Sequence, residues 1–126
     1  MKSTLTILLL FFIVIMSGCF YESEEKLYPV NPADCDLTNV TFSGTIKPIL
    51  QDNCFRCHSN SNYLNSGGGI KLENHADIKT MAESGKLMGA VKHENGFIPM
   101  PEDGGKLTDC EIKKLQKWID NGILNN

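Results

Sequence analysis

The chain has 126 residues, 41% of them hydrophobic, and carries 12 Lys and Arg against 15 Asp and Glu for a net charge of −3. That length bounds it to one small domain plus whatever processing removes, and the lack of a basic stretch withholds the electrostatic footprint that a nucleic-acid partner requires. Five cysteines in so short a chain carry most of the chemical information.

Met1-Lys2 is followed by an apolar run from Leu5 to Met16, interrupted only by Thr6. This is the pattern of a secretory h-region. As a helix the run would reach roughly 18 Å, well short of a ~30 Å hydrocarbon core, so a spanning helix is the weaker reading. It ends in Met16-Ser17-Gly18-Cys19, which resembles the bacterial lipoprotein signal, with Met16 a less usual residue at its position. The resemblance implies removal of residues 1–18 and lipidation of Cys19, whose several acyl chains would anchor the protein stably to a bacterial membrane. Residues 19–39 then read as a lipidated N-terminus and tether: Glu22, Glu24 and Glu25 are acidic, Pro29 and Pro32 stiffen it, and no helical or strand period is visible. Residues 40–126 form the foldable domain.

In that domain Phe42, Ile46, Ile49 and Leu50 recur at the spacing of an amphipathic helix, with Thr41 or Ser43 as its cap and Pro48 able to delay its start to Lys47. The helix leads into Cys54-Phe55-Arg56-Cys57-His58, the C-x-x-C-H pattern of covalent c-type haem attachment. From this composition the pattern is expected by chance in roughly 0.5% of such chains. Two thiols about one helical turn apart can each add to one of the porphyrin's two vinyl groups, and the next residue then offers its imidazole to the iron. Cys54 and Cys57 would form the thioethers and His58 the proximal ligand. Three other readings are weaker. A thioredoxin-like pair wants a preceding strand, a zinc site needs two further spaced ligands that His75 and His93 do not supply, and a plain disulfide leaves the histidine unexplained.

Ser59 to Gly69 is turn-rich, with Tyr63-Leu64 as its anchor. Asn74 then caps a short helix to about Ser84, Gly85 breaks it, and a second short helix runs from Lys86 to about Lys92. Ile78, Met81, Leu87 and Val91 are its candidates for haem-facing or core positions. Ile98-Pro99-Met100-Pro101 sets a methionine between two prolines on a stiff, non-helical segment, suited to holding a thioether against iron. In the last helix Thr108 and Glu111 form a capping box, Ile112, Leu115, Trp118 and Ile119 an apolar stripe, and Gly122 the stop. Lys113, Lys114 and Lys117 lie on its solvated face.

Taken together, the Cys54–His58 motif at a helix end, Met100 in a Pro-rich loop and a closing helix with Trp118 resemble a small monohaem cytochrome c domain, of the lipoprotein-borne kind found in bacteria. The resemblance covers about residues 40–123. It implies an all-α fold of about four short helices around one covalent haem c, with the first and last helices packed across one another near Trp118. Two departures stand out. Ile46 occupies the place of the usual helix-crossing glycine, and no proline between His58 and Pro99 offers a carbonyl to the proximal imidazole. The partner of His58 is therefore unassigned.

Cys35 and Cys110 remain, an even pair in an oxidising compartment, and a disulfide between them would contribute about 4 kcal/mol in the chain-entropy model. His75 and His93 read as surface or loop histidines, with His93 the rival to Met100 as sixth ligand. The expected activity is single-electron transfer between exported redox proteins, without a small-molecule substrate and without catalysis. The alternative is a displaceable sixth ligand, which would make the domain a small-ligand sensor or a peroxidase-like enzyme.

Overall fold

A computed structural model describes residues 35–102 and 104–126. The expected signal peptide, Cys19 and most of the expected tether lie outside the described residues. Those described are helical, without strands. A π-helical turn, Phe42–Ile46, runs into α1 (Lys47–Asn53), followed by α2 (Phe55–His58), α3 (His75–Glu83), α4 (Lys86–Lys92) and α5 (Asp109–Asp120). None of these is long and apolar enough to cross a membrane.

The start of the first helix follows from Pro48. A proline has no N–H to donate to the carbonyl one turn back, so the regular ladder has to begin beside it. The preceding turn is wide instead: Ile46 N–H reaches Thr41 O, and Lys47 N–H reaches Phe42 O. Of the two expected caps it is Thr41 that acts, its hydroxyl accepting from Gly44 N–H at 3.2 Å. The stripe Phe42, Ile46, Ile49 and Leu50 is buried as its spacing predicts.

Helix α5 has the expected capping box, with the Thr108 hydroxyl accepting from Glu111 N–H and the Glu111 carboxylate accepting from Thr108 N–H. Ile112, Leu115 and Trp118 are buried beneath it, and the chain leaves through Gly122 at φ 92°. The π-turn packs on α5, with the Phe42 and Trp118 rings 5.7 Å apart. Burying such side chains stabilises by roughly 1.5–3 kcal/mol each.

His75 is not the loop or surface residue its sequence context suggests. It opens α3 half-buried, lies edge-on to both Phe42 and Trp118, and donates from Nε2 to Ile123 O at 2.9 Å. The tail is fastened again by Trp118 Nε1–H to Leu124 O and by Phe42 N–H to Asn126 Oδ1. In the loop before α3 only half of the expected anchor is packed: Tyr63 lies under the Lys71 ammonium at 4.5 Å, whereas Leu64 is 72% exposed.

Cys35 and Cys110 are joined by a disulfide, with an S–S distance of 2.05 Å. This fastens the chain on the tether side of the expected boundary at residue 40. Leu37 packs against the core there, and Asp36 closes a turn by accepting from Thr38 N–H and Oγ1–H.

Candidate functional site

The C-x-x-C-H residues follow a break in the first helix. Cys54 sits between α1 and α2 at φ −126°, and its carbonyl accepts from both Cys57 N–H and His58 N–H. Residues 54, 57 and 58 thus share one short turn. Cys54 and Cys57 are outside any disulfide, the first buried and the second half-buried. Burial, reinforced by the Glu111 carboxylate and by Cys57, pushes the Cys54 thiol up to about 11.

His58 is the single buried polar or charged side chain among the described residues. Its Nδ1 lies 3.1 Å from the carbonyl oxygen of Ile70. A carbonyl only accepts, so Nδ1 is the donor, which in neutral imidazole leaves the lone pair on Nε2, the form that binds a metal. Leu72 N–H donates to His58 O at 2.9 Å, tying the same residue to the same segment a second time. Gly67 stands behind the ring, where an added Cβ would lie 3.0 Å from Nδ1 and 2.7 Å from Cys57 O. The partner left unassigned by the missing proline is therefore a loop carbonyl twelve residues downstream.

These residues face a cavity of about 560 Å³, mostly apolar and within the range of about 300–1,000 Å³ typical of ligand and cofactor sites. One wall holds Cys54, Cys57, His58, Ile70 and Leu72. Another comes from α3 and α4, with Met81, Leu87 and Val91, while Ile78 is buried in the core without lining the cavity. The loop after α4 adds Phe97, Ile98, Met100 and Pro101. Met100, the sequence's candidate thioether, is thus brought to the same cavity as His58.

His93 lies elsewhere. It ends α4 at φ 57°, is exposed, does not line the cavity, and its Nε2 is 3.1 Å from Met100 O. Met100 N–H donates in turn to Ala90 O at 3.1 Å.

Sequence reasoning also passed over Gly89. A Cβ there would come within 2.5 Å of the Phe97 ring, so a glycine on α4 lets that ring lie against the helix at the cavity wall. Among the described residues no cluster of three or more His, Cys, Asp or Glu side chains is arranged to hold a metal ion. Comparison with protein families, with curated proteins and with solved structures returns no match for this chain.

Proposed function

We propose that the protein is a lipid-anchored monohaem c-type cytochrome that carries single electrons between exported redox partners. The observation that carries this reading is the meeting, in one apolar cavity, of the Cys54-x-x-Cys57-His58 turn with the Met100 loop. The residues present suit haem c. Cys54 and Cys57 would hold it by thioethers, the Ile70 carbonyl supports the His58 tautomer that leaves Nε2 for the iron, and Met100 offers a soft thioether to the same cavity. When bound, haem supplies one-electron exchange at iron.

The chain's own contribution is ligation, orientation and exclusion of water. Ile70 O fixes the plane of the His58 ring, which also raises the basicity of that ligand. Leu72, Leu87 and Val91 are buried around the cavity and would help exclude water from a bound haem. A Met/His pair would hold the potential higher than a bis-histidine pair. His93 is engaged with the Met100 backbone and stands outside the cavity wall, which favours Met100 over His93 as the sixth ligand. Lipidation at Cys19 would keep the domain at the membrane, where partners meet it through small, weak interfaces.

The test is the absorption spectrum of the oxidised, haem-loaded protein beside that of its Met100→Ala variant. The parent is expected to show the sulfur-to-iron charge-transfer band and the variant to lose it, with a fall in reduction potential. A parent without the band, or a band that survives the substitution, overturns the ligand assignment.

A further inference from the structure

The hydrogen bond between His93 and Met100 is placed on the loop whose position decides ligation. Met100 follows Pro99 and precedes Pro101, so its neighbours have no N–H to donate and the segment cannot hold itself by regular structure. Beside the packing of Phe97 on Gly89, two hydrogen bonds at Met100 fasten the segment to α4. One is Met100 N–H to Ala90 O, and the other is His93 Nε2–H to Met100 O, both at 3.1 Å. Ala90 and His93 belong to the same turn at the end of α4, where His93 N–H itself donates to Ala90 O. The side chain of His93 therefore closes a clamp on the peptide groups flanking the Met100 Cα.

The backbone of His93 is adapted to this task. At φ 57° and ψ 43° it is left-handed, a conformation in which histidine, asparagine and aspartate are enriched among non-glycine residues. That conformation caps α4 and turns the ring toward the returning loop.

We propose that His93 is a positioning residue that holds the Met100 thioether at the iron by hydrogen-bonding the Met100 carbonyl, and is not itself a ligand. The inference rests on the reading of Met100 as sixth ligand. It makes His93 the residue that sets how readily an external ligand displaces the methionine.

Two substitutions separate the hydrogen bond from the backbone conformation. His93→Gln keeps an N–H donor at the same number of bonds from Cα as histidine Nε2, but glutamine has less preference for the left-handed region. His93→Asn favours that region and stops one bond short. Both are prepared as haem-loaded protein, and imidazole affinity for the oxidised iron is measured by titration. Amide hydrogen exchange at Met100 is measured alongside it.

His93→Asn is expected to bind imidazole about three- to tenfold more tightly than the parent, the span of one ordinary hydrogen bond, and to exchange the Met100 amide faster. His93→Gln is expected to stay within about twofold of the parent in both, since its donor is retained. Asn behaving like the parent, or Gln behaving like Asn, overturns the proposal. If the parent lacks the sulfur-to-iron band, the ligand reading fails on its own, and the exchange rates still report whether His93 clamps the loop.

Discussion

The carbonyl of Ile70 accepts the Nδ1–H of His58 at 3.1 Å, and Leu72 N–H returns a bond to the carbonyl of the same histidine. A residue at the end of a four-residue helix is thereby fixed from outside that helix, in ring plane and in tautomer. The loop that does this looks featureless in sequence. Its fit against the imidazole depends on one small residue, Gly67.

Gly67→Ala would place a Cβ 2.7 Å from Cys57 O, 2.9 Å from Tyr63 Cα and 3.0 Å from His58 Nδ1. Two of these three atoms are backbone and cannot rotate away. Overpacking of this kind costs about 1–3 kcal/mol. The urea midpoint is expected to fall accordingly, and the haem spectrum to change as the ring is pushed. Gly105→Ala, where no atom lies within 4 Å of the added Cβ, serves as the control and is expected to stay within about 0.5 kcal/mol of the parent. Equal midpoints for the two variants would mean that the Gly67 contact is not tight.

The Cys35–Cys110 disulfide joins residues 75 positions apart. Replacing both by alanine removes a restriction on the unfolded chain worth about 4 kcal/mol in the entropy model, and native disulfides of small exported domains typically contribute about 2–5 kcal/mol. Denaturant unfolding without reductant is expected to show a loss in that range. A thiol count on the mature, haem-loaded, denatured protein should give none before reduction and two after it. Two thiols before reduction would exclude the bridge.

In chain produced without haem attachment, Cys54 should alkylate more slowly than Cys57 near pH 8, because the reactive thiolate of Cys54 is suppressed by burial. The sign of the effect on stability follows from the same cause. The thiol loses its proton near pH 9 when exposed and near 11 when folded, so the full contribution is present below pH 9. It is lost as pH rises toward 11 and amounts to about 3 kcal/mol. Unfolding of the parent and of Cys54→Ala is compared across that window. The parent is expected to lose the extra stability, and parallel curves would contradict the assignment.

Elements set by local chemistry were legible in the chain. The Thr108–Glu111 box, the break at Gly85 and the effect of Pro48 each act within a few residues, and each is found where the pattern places it. That His58 and Met100 line one cavity was legible because C-x-x-C-H and Pro-Met-Pro are compact local patterns of residues suited to one shared ligand. What was not legible depends on contacts between distant segments that leave no mark on composition. A backbone carbonyl has no sequence signature, so Ile70 as the partner of His58 was invisible. His75 looked like a loop residue because its three partners, Phe42, Trp118 and Ile123, come from both ends of the domain. Gly89 was hidden for a similar reason, its necessity residing in a ring that arrives from the next loop.

The bridge between Cys35 and Cys110 has a topological consequence. Every residue that lines the cavity, from Asn53 to Glu102, belongs to the stretch of chain that the bridge closes into a ring. A pull applied between the chain before Cys35 and the chain after Cys110 would cross the sulfur atoms into the first turn of α5 and bypass the enclosed stretch. Under the proposed lipidation at Cys19, a pull from the membrane would thus leave the walls of the pocket unstrained.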